Sequence, residues 1–157
     1  MITIDEEPVV ELDYKALHPN IAKHIYGGSN TYISHEEVSN DLKMPRDKVK
    51  IEHLSFFNKK HFLMKQSPLY EYYKMREPIM LANIIRQKHQ IDYKITSRML
   101  FKKEVEIMTE VIRKLNVLNI YVLYVYDALY CKKSNESKVI EVMNETIKNL
   151  GINTHVG

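Results

Sequence analysis

The sequence has few of the residues that would mark several classes of protein. Its 157 residues include a single cysteine, Cys131, which excludes an internal disulfide framework and a cysteine-based zinc site. Only four glycines and five prolines are present, which argues against a low-complexity or disordered chain. The longest apolar run, 120–126, is too short to cross a bilayer, and no apolar leader opens the sequence. We therefore expect a globular protein in a reducing, cytoplasmic setting, with no membrane partner.

Charge is distributed unevenly along the sequence. The formal net charge at pH 7 is only +3, but residues 1–14 carry five acidic side chains and no lysine or arginine. The segment 43–65 carries seven lysine and arginine side chains against two acidic ones. This separation fits a protein that holds metal ions at one place and phosphates at another, although two solvated surfaces would give the same pattern.

The strands are predicted towards the two ends of the sequence. β-Branched and aromatic residues favour strands at 8–14 and 120–125, a returning strand at 129–131 and a final strand at 152–156. Because these strands must pair across a helical middle, we expect an α+β fold, with a small antiparallel sheet packed with about five helices. We expect a single domain over residues 1–157.

Capping residues, prolines and apolar spacing predict the helices. Ser34 precedes Glu37 by three residues, which is the spacing of a capping box. Pro45 is expected to begin a long helix that ends near Met64. A polar link is predicted over 86–96, followed by an amphipathic helix over 97–115.

Two aspartates stand at strand ends. Asp13 ends the first apolar strand, and Asp127 lies at the tip of the predicted hairpin. If these strands are neighbours, two carboxylates meet at one end of the sheet, where their mutual repulsion requires cations. Mg²⁺ prefers carboxylate oxygens and substrate phosphates, so the pair is a candidate site for two Mg²⁺ ions, with Mn²⁺ as a substitute. The alternative is that each aspartate only ends its strand at a turn.

The predicted helix from Pro45 carries two cations on one face. Arg46 and Lys50 lie one helical turn apart, and Leu54 and Asn58 continue the same face. Cations on a helix that faces a metal site would hold the β- and γ-phosphates of a nucleotide. A solvated basic helix face is the alternative interpretation.

Three segments resemble the motifs of template-dependent DNA polymerases. Residues 9–21, Val-Val-Glu-Leu-Asp-Tyr-Lys-Ala-Leu-His-Pro-Asn-Ile, resemble motif A. The pattern Arg-x3-Lys-x3-Leu-x3-Asn over 46–58 resembles motif B of the family A enzymes, and Val-Tyr-Asp-Ala-Leu over 125–129 resembles their motif C. The order A, B, C and the segments between are similar to family A polymerases of phage and mobile elements, over roughly residues 8–151. Leu-His-Pro at 17–19 also resembles motif A of family B polymerases.

The resemblance implies a palm-like sheet and two-metal nucleotidyl transfer from a dNTP to a primer 3′-hydroxyl. Asp13 and Asp127 would hold the metal ions, with the Tyr14 carbonyl as a further ligand. Arg46 and Lys50 would contact the incoming triphosphate, and Lys50 would protonate the pyrophosphate leaving group.

The resemblance also implies how the nucleotide is recognised. His18 stands where the family holds its sugar-discriminating residue. Leu54 and Asn58 replace the aromatic residues that would stack on the nucleotide and hold the templating position. Stacking is therefore expected to be weaker, or to come from Phe56 or Phe57.

The chain departs from the family in its length. Family members carry a thumb that grips duplex DNA before motif A, often behind an exonuclease domain, whereas twelve residues precede Asp13. We expect most of a palm, with 31–66 as a reduced fingers-like helical segment, and no thumb or exonuclease domain. Binding of primer-template DNA would then need a second polypeptide that supplies the thumb.

Two further interpretations stay open. The chain could be a non-catalytic nucleic-acid-binding module, in which the basic segment 43–65, with Lys59 and Lys60, binds phosphates and the aspartates are structural. It could also be an inactive polymerase remnant, since Ala128 and Asn58 replace residues of the family pattern. Metal binding that strengthens with dNTP separates the enzyme from both.

Overall fold

A computed structural model of the chain describes residues 3–157, and within this range the fold is α+β, as predicted. The strands are β1 (Thr3–Ile4), β2 (Glu7–Asp13), β3 (Leu123–Val125) and β4 (Ala128–Lys132). The helices are α1 (Leu17–Tyr26), α2 (His35–Leu42), α3 (Arg46–Phe56), α4 (His61–Met64), α5 (Pro68–Arg76), α6 (Pro78–Gln90), α7 (Ile95–Val117) and α8 (Glu136–Asn149). The described residues contain more helices than predicted because the expected helix over 45–64 is divided and the expected polar link is largely helical.

The sheet is antiparallel and has the strand order β1-β2-β4-β3. Val9 lies opposite Lys132 and Asp13 lies opposite Ala128, so residues 9–13 of β2 pair with the whole of β4. On the other edge of β4, Val125 of β3 lies opposite Ala128. The predicted hairpin and its pairing with the first strand are therefore confirmed.

The predicted final strand at 152–156 is wrong. Its backbone forms local hydrogen bonds, from Ile152 N to Ile147 O and from Thr154 N to Ile152 O, and Asn144 of α8 accepts from Val156 N at 2.7 Å and donates to Val156 O at 3.1 Å. Lys15 N donates to His155 O at 2.9 Å, but this single bond does not continue into a ladder of backbone hydrogen bonds between the two segments. Because these turn bonds and the Asn144 side chain satisfy several backbone groups of the segment, they replace the ladder that a strand would form.

The chain divides into two compact units. The first consists of the described part of Met1–Lys15 together with Glu104–Gly157, and the second consists of Ala16–Lys103. The predicted fingers-like segment 31–66 lies inside the second unit, which extends well beyond it on both sides. The assignment of palm and fingers to parts of the chain stays a prediction.

In the first unit, one face of the sheet is buried and α8 packs against β4. The Tyr14 hydroxyl, directly after β2, donates to Met143 O of α8 at 2.7 Å and ties the end of the strand to this helix. Burial of apolar side chains is the main stabilising contribution here. The buried side chains of this unit include Leu12, Leu129, Cys131, Val139, Met143, Ile147, Ile107, Met108, Val111 and Leu115.

The second unit is helical. The Ser34 hydroxyl caps α2 by accepting from Glu37 N at 3.2 Å, which confirms Ser34 as the N-cap, whereas it is the carboxylate of Glu36, and not of Glu37, that bonds to Ser34. Asn20 of α1 donates to Ile33 O and accepts from Ile33 N, both at 2.9 Å, and so fixes the entry to α2. The buried side chains of this unit include Ile21, Val38, Val49, Phe56, Met64, Leu69, Tyr73, Met80 and Ile84.

A buried lysine explains why the helix predicted over 45–64 is interrupted. Lys88 of α6 donates its Nζ to Phe57 O at 2.7 Å, to Lys59 O at 2.6 Å and to Tyr93 O at 3.1 Å. The carbonyl groups that follow α3 are thereby satisfied without continuing the helix. Burial lowers the pKa of Lys88 to about 8, and the ammonium group is retained at neutral pH by its three acceptors.

Replacement of Lys88 by Met keeps the apolar stem of the side chain and removes the donor shared by the three carbonyls. We expect the free energy of unfolding to fall by about 2 kcal/mol, since each unpaired buried acceptor costs about 1–3 kcal/mol and the loss of a buried charge offsets part of this. Urea unfolding followed by circular dichroism measures the change. Lys74→Met, at an exposed lysine of α5, is the matched control and should shift stability by less than about 0.5 kcal/mol. Equal stability of the Lys88→Met variant and the wild type would contradict this role.

Candidate functional site

The pairing of β2 with β4 brings the two predicted aspartates to the same end of the sheet. Asp13 is the last residue of β2, and its register partner is Ala128, the first residue of β4. Asp127 immediately precedes Ala128 in the turn from β3. Both aspartates are exposed to solvent. The proximity of these two strand ends, expected from the sequence, is therefore a feature of the fold.

The turn that carries Asp127 has an unusual backbone. Val125 pairs with Ala128, so Tyr126 and Asp127 form a two-residue hairpin loop. Tyr126 has a φ of 57°, in the left-handed region that such loops usually fill with glycine, asparagine or aspartate. Its ring is 90% exposed, so packing of the ring does not explain the choice of tyrosine. Backbone strain beside a functional residue is a recurrent feature of active sites.

A third carboxylate lies on the same face of the sheet and was not predicted. Glu11 is two residues before Asp13 on β2, so both project from the exposed face, opposite the buried Leu12. Desolvation raises the pKa of the Tyr130 phenol, and the negative charges of Glu11, Asp127 and Asp13 raise it further. All three carboxylates are therefore close enough to Tyr130 to act on its phenol electrostatically. The period-two alternation of β2 was the signal that could have identified Glu11.

The donors at this end of the sheet have the chemistry that Mg²⁺ requires. Within residues 3–157, no three His, Cys, Asp or Glu side chains gather closely enough to hold a metal ion by themselves. Two exposed carboxylates are nonetheless sufficient for Mg²⁺, which keeps several waters and takes further oxygens from substrate phosphates. Tyr14, expected to offer its carbonyl, is anchored by its side chain, whose hydroxyl is bonded to Met143 O.

The predicted basic face belongs to the second unit. Arg46 and Lys50 are both exposed on α3, one turn apart, as expected. Arg46 Nε lies 2.5 Å from Glu36 Oε1, and hydrogen bonds from its own backbone, from Arg46 and from Ser34 lower the pKa of Glu36 to about 2. Lys50 forms no ion pair with any residue in the described range.

Of the residues expected to contact the nucleotide base and sugar, only Leu54 lies on this exposed helical face. Leu54 is 63% exposed on α3, but Asn58 lies beyond the end of the helix. Phe56 and Phe57 are buried in the core of the second unit, so the expectation that one of them stacks on a nucleotide is wrong. His18 lies in the first turn of α1 and is half-buried.

The predicted site residues therefore fall into two groups, each within one unit. The structure brings the candidate metal ligands together in the first unit and places the candidate nucleotide-binding residues in the second. The first group is Asp13, Tyr14 and Asp127; the second is His18, Arg46, Lys50, Leu54 and Asn58.

A buried histidine holds α3 in place. His53 Nε2 lies 2.5 Å from the Tyr73 hydroxyl of α5, and the His53 ring packs 4.9 Å from that of His35, between centroids. Burial, and then the charge of His35, lower the pKa of His53 to about 3. The helix that carries Arg46 and Lys50 is thus positioned by a neutral imidazole.

No protein-family model matches this chain, and a search of the curated proteins finds no match to it. Among residues 3–157 there is no helix that is both long enough and apolar enough to cross a membrane. The functional reading of the chain therefore depends on its own residues and their geometry.

The neutral state of His53 predicts a specific sensitivity to acid. The unfolded chain binds a proton at this histidine below about pH 6.5, whereas the folded chain binds one only near pH 3, so stability is lost as the pH falls through this window. We expect the free energy of unfolding to fall by up to about 1.4 kcal/mol per pH unit more steeply in the wild type than in His53→Gln, which cannot titrate. Urea unfolding at several pH values gives both slopes. His24→Gln, at an exposed position of α1, should keep the wild-type slope, and equal slopes for wild type and His53→Gln would refute the assignment.

Proposed function

We propose that this chain is the palm and partial fingers region of a DNA polymerase similar to family A, which transfers a nucleotide from a dNTP to a primer 3′-hydroxyl. One observation carries the proposal: the register of β2 on β4 sets Asp13 opposite the residue that follows Asp127, so two exposed carboxylates share one sheet end. The order of the three motifs along the chain supports the same reading.

Asp13 and Asp127 are assigned as the ligands of two Mg²⁺ ions, with the Tyr14 carbonyl as a further ligand. Mg²⁺, or Mn²⁺ in its place, would lower the pKa of the primer hydroxyl and stabilise the charge that develops on the transferred phosphoryl group. The metal ions would lie at the end of the sheet where Asp13 and Asp127 meet, close to the exposed face that carries Asp13 and Glu11. Because this face is exposed, the dNTP and the primer terminus can reach it from solvent.

Arg46 and Lys50 are assigned to the triphosphate. Their one-turn spacing on the exposed face of α3 suits adjacent phosphate groups, and the guanidinium can bind two oxygens at once. Arg46 would exchange its ion pair with Glu36 for the substrate. Lys50 would donate a proton to the pyrophosphate as it leaves.

The remaining assignments concern the sugar, the base and the DNA. His18 would contact the sugar, and Leu54 and Asn58 would border the base without an aromatic stack, so dNTP affinity would depend mainly on the phosphates. Primer-template DNA is the second substrate, and a second polypeptide that supplies a thumb would strengthen its binding.

Asp13→Asn and Asp127→Asn remove the negative charge with little change in shape. We expect each to weaken Mn²⁺ binding in the presence of dNTP by at least about tenfold and to slow primer extension by at least about a hundredfold, because a charge that stabilises the transition state is lost. Electron paramagnetic resonance of Mn²⁺ measures binding, and a single-nucleotide incorporation assay measures the rate.

Glu145→Gln, at an exposed acidic residue of α8, is the matched control and should leave both readouts unchanged. Circular dichroism verifies that all three variants are folded. Incorporation at the wild-type rate by either aspartate variant, or metal binding that does not respond to dNTP in the wild type, would refute the proposal.

A further inference from the structure

A second candidate site lies in the second unit, where the turn before α4 meets the turn between α6 and α7. Two lysine ammonium groups lie near the Tyr93 ring: Lys60 Nζ is 5.3 Å and Lys94 Nζ is 5.8 Å from its centroid. Both distances are within the range of a cation–π interaction. Two positive charges are thus held around one aromatic ring.

Two histidines and a further lysine belong to the same two chain segments. His61, the first residue of α4, has its Nδ1 3.1 Å from His89 Nε2. Burial lowers the pKa of His61, and the charges of Lys65, His89 and Lys88 lower it further. Next to His61, Phe62 leaves 61% of its surface exposed. We name this set the lysine–aromatic patch; it consists of Lys60, His61, Phe62, Lys65, His89, Tyr93 and Lys94.

A buried lysine joins the two backbone segments that form the patch. The buried Lys88 donates to Lys59 O at 2.6 Å and to Tyr93 O at 3.1 Å, so one ammonium group joins the turn before α4 to the turn after α6. These hydrogen bonds fix the backbone of both segments. The positive groups at the surface are therefore preorganised, which lowers the entropic cost of binding a ligand.

The lysines of the patch have no acidic partners. Lys60, Lys65 and Lys94 form no ion pair with any residue from 3 to 157. Neighbouring cations differ: Lys59 Nζ is 2.9 Å from Glu52, and Arg98 is 2.6 Å from Asp92. Within the described residues, the patch therefore carries lysine charge that no carboxylate neutralises.

The positive field decides the charge of the ligand. The separation of the facing nitrogens of His61 and His89 would suit a transition metal, but Lys65 and Lys88 act on His61 and disfavour any cation there. The same field attracts an anion. The exposed Phe62 ring and the half-buried Tyr93 ring add flat apolar surface, which a simple anion does not need and on which a nucleobase can stack.

We propose that the lysine–aromatic patch binds single-stranded nucleic acid, with phosphates at Lys60, Lys65 and Lys94 and unpaired bases stacked on Phe62 and Tyr93. Duplex DNA offers phosphates but hides its base faces, and α4, a single helical turn, is too short to lie along a bilayer as an amphipathic helix. The site goes beyond the proposed polymerase activity and does not need the aspartates of the first unit.

Fluorescence anisotropy with a labelled oligothymidylate of about 20 nucleotides, in EDTA, tests the binding. We expect Lys60→Glu with Lys94→Glu to weaken binding by about tenfold or more and to reduce the salt dependence, because phosphate contacts are lost. Lys48→Glu with Lys74→Glu makes the same change of net charge at exposed lysines outside the patch, and it should retain most of the affinity. Equal loss in both double variants would refute the proposal, since any reduction of net charge would then suffice.

Base stacking is tested separately. Phe62→Ala should weaken binding by about fivefold or more, whereas Met75→Ala, at another highly exposed apolar residue, should not. A duplex of the same length should bind more weakly than the single strand at equal phosphate concentration. Equal binding of duplex and single strand, or tighter binding to vesicles of phosphatidylserine and phosphatidylcholine, would overturn the assignment to single-stranded nucleic acid.

The histidines give the binding a characteristic pH dependence. Lys65, Lys88 and His89 face His61 and oppose its protonation, and the Tyr70 ring packs beside it at 6.3 Å between centroids. A bound phosphate offsets these positive charges, so binding takes up protons and should strengthen as the pH falls from about 7.5 to 5.5. His61→Gln should flatten this profile, and an unchanged profile would exclude His61 from the site. Asp13→Asn should bind the oligothymidylate as the wild type does, so failure of the polymerase proposal and failure of this one are distinguishable.

Discussion

The pairing of β2 with β4 is the constraint on which the first unit depends. It joins a strand near the start of the chain to one near the end, closes the sheet between β1 and β3, and buries Leu12, Leu129 and Cys131 on one face. The same register leaves Glu11 and Asp13 on the other face. A slip of one residue would exchange the two faces, bury the carboxylates and expose the apolar side chains, so core packing and site geometry are specified by one set of backbone hydrogen bonds.

In the second unit, buried polar groups carry out the corresponding task. His53 fixes α3 against α5, Asn20 fixes the entry to α2, and Lys88 ties the end of α3 to the turn before α7. Each group is satisfied by specific partners, and such networks are costly when one member is lost. The residues proposed to bind phosphates are on the segments that these buried groups hold. Arg46 and Lys50 are on the helix bonded through His53, and the lysine–aromatic patch is on the segments bonded by Lys88.

How far the sequence predicts the structure depends on whether an interaction is local. The strand ending at Asp13, the hairpin tip at Asp127 and the cap at Ser34 follow from short-range patterns, and all are present. The break after Phe56 was missed because its cause, Lys88, is distant in sequence and lysine usually predicts an exposed surface. Glu11 was overlooked although strand alternation places it beside Asp13. The relation of α3 to the aspartates, which the motif resemblance implies, is a question of tertiary arrangement that helical spacing cannot answer.

Because the first unit is formed from two separate stretches of chain, it can complete its fold only after the second unit has been synthesised. The second unit is a continuous stretch of chain, so all its core residues leave the ribosome before β4 does. β2, in contrast, leaves the ribosome before β4, its main partner, and cannot pair with it until Ala128–Lys132 have also emerged. Its alternation of charged and apolar residues limits wrong pairing of this waiting strand during the delay. The two aspartates are consequently brought to one end of the sheet only after both strands have emerged and paired.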